Sequence, residues 1–163
     1  MTARSKILIV DDEAHIRLLY RTELEAAGYE VDELPNGATL LETLARGCPD
    51  LMVLDIRMPG PSGLELLTSV RARHRQLAII LSSAYSSYQG DMSTLPADAY
   101  VLKSSDVTPL LDTVRALLEQ RRQVEPANAL AASAPSAGVR AEPPTRSTRA
   151  AKPKSAASGT RRR

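Results

Sequence analysis

Five short apolar runs recur along the chain: KILIV (6–10), YEVDEL (29–34), DLMVLDI (50–56), LAIILS (77–82) and AYVLK (99–103). Four are nearly unbroken, the pattern of strands buried on both faces, as in a parallel sheet. The exception, EVDEL, alternates apolar and polar positions, which predicts an edge strand. Between the runs the spacing becomes helical. Residues 14–27 place Ile16, Leu19, Tyr20, Leu24 and Ala27 on one face, with Gly28 as a C-terminal stop. Residues 38–46 offer Leu40, Leu41, Leu44 and Ala45; residues 63–74 offer Leu64, Leu67 and Val70 behind a candidate N-cap, Ser62. Residues 106–122 offer Leu110, Val114, Leu117 and Leu118 behind Asp106, with Pro109 in the first turn, where its missing N–H costs little. Strand and helix alternate regularly, so the pattern predicts an α/β unit: a five-stranded parallel sheet with right-handed crossovers and helices on both faces.

One segment breaks the beat. AYSSYQGDMSTLPADAY (84–100) is polar, with Gly90 inside and Pro96 near its end, and predicts a short or irregular fourth helix. After Gln123 the pattern stops. The remainder is rich in Ala, Pro, Ser and Arg with almost no large apolar residue, so it cannot bury enough surface to offset chain entropy. The expected organisation is one folded domain over 5–122 and a disordered tail over 123–163.

Charge supports that division. Residues 1–123 hold 13 Lys+Arg and 17 Asp+Glu, and residues 124–163 hold 8 and 2, so an acidic body precedes a basic tail. The single cysteine, Cys48, cannot form an internal disulfide and fits a reducing compartment. No apolar stretch approaches the roughly 20 residues that span a bilayer, and the N-terminus lacks a signal-peptide profile. A cytoplasmic protein without membrane insertion is the expectation.

The stretch VDDEAH (10–15) contains the letters of a helicase box, but a helicase motor needs more chain and a phosphate-cradling Gly-Lys-Ser/Thr loop, and no Gly-Lys pair occurs here. Read as chemistry, Asp11, Asp12 and Glu13 follow the first strand. Asp55 ends the third strand, Ser82 and Ser83 the fourth, and Lys103 the fifth. Open α/β sheets bind ligands at these carboxyl ends. Carboxylates converging there repel one another unless a hard cation such as Mg²⁺ joins them. Such a site suits a phosphoryl donor, with one carboxylate as nucleophile and with Ser83 and Lys103 gripping the new phosphoryl oxygens.

From about residue 5 to 122 the chain resembles the receiver domain of two-component response regulators. The resemblance rests on the acidic pair Asp11–Asp12, on DIRMPGPSGLELL (55–67) with its Asp-x-x-Met-Pro-x-x-x-Gly spacing, on Ser83–Ala84, and on YVLK (100–103). It implies a flavodoxin-like doubly wound fold and phosphorylation of Asp55 by a sensor histidine kinase or a histidine phosphotransfer protein. It further implies Mg²⁺ on Asp12, Asp55 and the backbone carbonyl of Arg57, with Asp11 acting largely through water. Ser83 and Lys103 are implied as phosphoryl-binding residues and Tyr100 as the aromatic switch, with Met58, Pro59 and Gly63 shaping the loop beyond the acceptor. No enzymatic activity is implied beyond Mg²⁺-dependent gain and loss of the protein's own phosphate.

Two departures stand out. Ser104 follows Lys103 where the family usually has proline. A cis bond without proline costs about 3 kcal/mol, so a trans peptide and a displaced Lys103 are expected. Arg57 and Tyr85 occupy positions that influence phosphate loss in the family, and their bulk is expected to shield the site from water. The residues after Gln123 are too few and too polar for a helix-turn-helix. The expectation is therefore a stand-alone receiver that signals to an unknown protein target through its fourth helix, fifth strand and last helix. Competing readings are a phosphate-independent receiver-like module, a nucleic-acid-associated protein gripping phosphates through its tail, and an aspartyl phosphatase. The last needs an Asp-x-Asp motif that neither DDEAH nor DIRMP supplies.

Overall fold

The computed structural model describes residues 4–88, 94 and 96–132, residue 88 and those from 124 onward as backbone alone. Its strands are β1 (Lys6–Val10), β2 (Glu30–Leu34), β3 (Leu51–Asp55), β4 (Ala78–Ser83) and β5 (Ala99–Leu102). Its helices, among the described residues, are α1 (Ala14–Ala26), α2 (Leu40–Arg46), α3 (Gly63–Arg73) and α4 (Thr108–Ala132). The strands are all parallel in the order β2-β1-β3-β4-β5, so the alternating run is an edge strand, as expected, and β1 lies between β2 and β3.

Successive side chains of a strand face opposite sides, and each side of this sheet has its own core. Leu8, Val10, Met52, Leu54, Ile79 and Leu81 pack with Leu40 and Leu44 of α2 and Leu66, Leu67 and Val70 of α3. Ile7, Ile9, Leu51, Val53, Ala78 and Ile80 pack with Tyr20 and Leu24 of α1 and Leu110, Val114 and Leu118 of α4. Both faces of β1, β3 and β4 are therefore covered, which fixes their register. In that register Asp55 pairs with Ser82, and Ser83 with Leu102.

Local signals start the helices. Ser62 caps α3 in a reciprocal box: Glu65 N–H donates to Ser62 Oγ (3.3 Å), and Ser62 N–H donates to Glu65 Oε2 (2.9 Å). Asp106 accepts from Thr108 N–H at 3.0 Å, so α4 begins two residues later than the pattern predicts. The helix also runs past Gln123 to Ala132, through Pro126. Proline predicts a stop there, but Ala127, Ala129, Leu130, Ala131 and Ala132 are strong helix formers and carry the helix on. The rest of the expected tail, 133–163, lies outside the described residues. In the polar segment 84–100, a 3-10 turn spans Ser86–Tyr88, and residues 89–93 and 95 lie outside the described residues.

Gly63 is where α3 meets the end of β3. A Cβ there would sit 2.0 Å from the Asp55 carbonyl oxygen and 2.8 Å from Ile56 Cα. The close approach lets Gly63 N–H donate to Ile56 O at 3.0 Å. Gly63→Ala is expected to destabilise the fold by about 1–3 kcal/mol through overpacking against backbone that cannot yield. Urea unfolding of the variant beside the parent measures this.

Candidate functional site

The carboxyl ends of β1, β3 and β5 meet at one acidic cluster. Asp11 and Asp12 sit just past β1, where the chain turns into α1, and Asp55 is the last residue of β3. One ligand atom from each of the three lies within 4.8 Å of the other two. Asp11 and Asp55 are buried and Asp12 is exposed, so the cluster opens to solvent on one side.

Backbone contacts aim these groups. Asp11 Oδ1 accepts from Glu13 N–H (2.9 Å), and Asp55 Oδ1 accepts from Arg57 N–H (3.2 Å). Arg17, on the second turn of α1, donates from Nη1 to the Asp11 carbonyl at 2.7 Å, and its Nε lies 3.9 Å from Glu33 of β2. The β1–α1 loop is thereby tied to its own helix and to the neighbouring strand.

Lys103 closes the cluster. Its side chain is 6% exposed, and Nζ lies 2.8 Å from Asp11 Oδ2, 2.9 Å from Glu13 Oε1 and 3.1 Å from Asp55 Oδ2. The displacement expected from Ser104 is not observed. All peptides among the described residues are trans, and Lys103 still reaches the cluster because its N–H, donating to Ser83 O at 2.8 Å, keeps it in the ladder with β4. The contact with Asp11 Oδ2 is an ion pair too oblique for a hydrogen bond, so that buried oxygen retains lone-pair capacity for a cation. Three carboxylates with oxygen to spare are the donor chemistry of a hard divalent ion.

Burial pushes the Asp55 carboxyl up to about 6, with Lys103 pulling it down and Asp11 adding to the rise. Burial alone would lower Lys103, but the adjacent carboxylates of Asp11, Glu13 and Asp55 more than reverse that, and the net shift is upward. The bond to Lys103 holds Glu13 below the usual carboxylate range.

The remaining expected residues form a second network. Ser83, at the buried end of β4, accepts from Tyr85 N–H at 3.2 Å and does not bond the carboxylates. Tyr100 is half-buried, and its hydroxyl donates to the Tyr85 carbonyl. The Arg57 guanidinium stacks 4.9 Å above the Tyr85 ring. Tyr85 thus joins Ser83, Tyr100 and Arg57, and the backbone of Arg57 touches Asp55.

Sequence reasoning placed Glu13 and Ser82 at the strand ends without giving either a role, and it did not single out Arg17 or Tyr20 as parts of the site. The Tyr20 hydroxyl shares a buried 3.2 Å hydrogen bond with Ser82 Oγ across the sheet end. The helical spacing placed Tyr20 in the core, but no spacing tells where a hydroxyl points. Arg17 carried no motif signal at all.

The chain matches the response regulator receiver domain family over residues 7–115. It belongs to that family. Curated relatives include the transcriptional regulator NtrC of Escherichia coli, 35% identical over 128 residues, 77% of this chain and 27% of that protein. Response regulator MprA of Mycobacterium leprae is 35% identical over 130 residues, 78% of this chain and 57% of the relative. This receiver therefore spans about a quarter of NtrC and just over half of MprA. Among solved structures, response regulator TrrA of Thermotoga maritima in complex with Mg²⁺-BeF is 44% identical, with a TM-score of 0.67 over 69% of this chain and 98% of that one. A chain from the complex of histidine kinase ThkA with TrrA is 46% identical, with a TM-score of 0.66 over 70% and 98%. No helix among the described residues of this receiver is long and apolar enough to cross a membrane.

The raised Asp55 pKa makes the metal-free receiver pH-dependent in a definite sense. Folding favours the protonated carboxyl, so this stability is complete below the unfolded value near 3.8 and is lost as pH rises through about 6. Asp55→Asn cannot ionise. Without divalent cations, its stability relative to the parent should rise by on the order of 2–3 kcal/mol between pH 4 and pH 7. Paired thermal unfolding curves across that range measure it.

Proposed function

We propose that Asp55 accepts a phosphoryl group from a phosphohistidine on a histidine kinase or histidine phosphotransfer protein, and that phosphorylation switches the protein contacts this receiver makes. The observation that carries the reading is Asp55 buried beside Asp11 and Asp12, with the Lys103 ammonium on its Oδ2. A carboxylate oxygen of Asp55 attacks phosphorus, the P–N bond breaks, and the imidazole leaves with the electron pair; the product is an acyl phosphate. The two complexes of the similar protein TrrA, one with Mg²⁺-BeF and one with histidine kinase ThkA, support the same ion and the same class of partner here.

Asp11, Asp12, Asp55 and the backbone carbonyl of Arg57 would hold Mg²⁺, with Asp11 acting largely through water. When bound, the ion neutralises charge on the transferring phosphoryl oxygens. Lys103 binds one phosphoryl oxygen. The Ser83 hydroxyl is free to donate, because Tyr85 N–H uses only its lone pair, and it binds another. As Ser83 turns toward the phosphoryl group it releases Tyr85, and the Tyr100 hydroxyl loses its anchor on the Tyr85 carbonyl. Tyr100 then repacks, and the surface around β5 and α4 changes for a downstream protein. Residues 5–122 form the signalling unit in this reading, acting in the cytoplasm, with turnover limited to gain and loss of its own phosphate. Nucleic-acid binding by the basic tail is not favoured.

Incubation with acetyl phosphate and Mg²⁺ followed by intact mass measurement tests the reading. One added phosphate on the parent and none on Asp55→Asn is expected; no gain, with Mg²⁺ binding verified by calorimetry, contradicts it. Arg57 stacked on Tyr85 shields the acyl phosphate from water. Arg57→Ala should therefore shorten the phosphate half-life several-fold, and an unchanged half-life counts against the shield.

A further inference from the structure

An ammonium has three hydrogens and accepts nothing. Around Lys103 Nζ stand three carboxylate oxygens, of Asp11, Glu13 and Asp55, at 2.8, 2.9 and 3.1 Å. A further acceptor brought to Nζ competes with these oxygens, of which Glu13 Oε1 alone takes a hydrogen bond from it, and the three differ in what displacement costs. Asp11 and Asp55 are 1% and 3% exposed. Stripping Asp11 leaves a buried carboxylate without its counter-charge, and Asp55, once it carries the phosphoryl group, keeps Lys103 through that group. Glu13 has a 44% exposed side chain, and its second carboxylate oxygen faces the exposed His15 at 3.5 Å. Water solvates that group at little cost.

The backbone of Glu13 need not move. Its N–H donates to Asp11 Oδ1, and its carbonyl accepts from the N–H groups of Ile16 and Arg17, both at 3.1 Å. Rotation of the side chain alone frees Lys103.

The geometry points to Glu13 as the resting-state counter-ion of Lys103, a positioning residue that holds the ammonium in the acidic cluster and gives it up when Asp55 carries a phosphoryl group. This rests on Asp55 being the acceptor. The Glu13–Lys103 pair exists only at rest, so it biases the protein against the phosphoryl-bearing state by its own worth. For a part-exposed ion pair that is about two- to fivefold in an equilibrium constant.

The test is the affinity for beryllofluoride in saturating Mg²⁺, measured by calorimetry on the parent, Glu13→Gln, Lys103→Met and the double variant. Glu13→Gln should bind about two- to fivefold tighter. The gain should vanish in the Lys103→Met background, because it acts through Lys103. Equal affinity of Glu13→Gln and the parent overturns the inference. So does a gain that persists without Lys103, which would be plain repulsion of an anion by Glu13. If Lys103→Met binds too weakly to measure, the parent decides alone by NMR. A hydrogen-bond coupling between Lys103 Nζ and the Glu13 carboxyl carbon should be present at rest and absent with Mg²⁺ and beryllofluoride. Its persistence overturns the inference. A parent that takes up no beryllofluoride refutes the Asp55 reading itself, and this one with it.

Discussion

A single buried ammonium makes this receiver's acidic corner possible. Asp11 and Asp55 are taken out of water at the ends of adjacent strands, and two uncompensated carboxylates at that depth would each cost several kcal/mol in solvation. Lys103 offsets that cost from the far side of the sheet, at the end of β5. The compensation is incomplete, as the rise of Asp55 to about 6 records. A buried carboxylate left partly uncompensated retains affinity for a cation.

The fold supplies the rest. Two apolar layers clamp β1, β3 and β4 from both sides, so the ends of those strands cannot slip relative to one another. Gly63 brings α3 against the backbone of Asp55 where no other residue fits. Arg17 ties the β1–α1 loop to its helix. Rigidity is concentrated beneath the carboxylates, while the contacts of Glu13, Tyr85 and Tyr100 lie at the surface, where they can be exchanged cheaply.

Much of this was legible in the chain. Each apolar run became a strand within one residue of its limits: burial on both faces gives β1, β3 and β4 an unbroken apolar signature, and the edge position of β2 gives its alternation. Asp11, Asp12, Asp55 and Lys103 were readable as a cluster, since strand ends are brought together by topology and not by detailed packing. What remained hidden depends on side-chain direction. Ser104 suggested a displaced lysine, yet the hydrogen bond from Lys103 N–H to Ser83 O holds the residue in register whatever follows it. The composition after Gln123 suggested a disordered tail from 123, yet α4 continues through Pro126 to Ala132. The roles of Glu13, Arg17 and Tyr20 turn on where three long side chains point, and periodicity carries no information about that.

The most direct test of this account removes the ammonium while keeping its volume. Lys103→Met, unfolded thermally at pH 7.5 without divalent cations, should lose roughly 3–5 kcal/mol of stability, the cost of breaking a buried ion pair by deleting one partner. Added Mg²⁺ should then restore more stability to the variant than it adds to the parent. An unchanged unfolding curve, or equal rescue of both proteins by Mg²⁺, would contradict the claim that Lys103 holds the acidic cluster together.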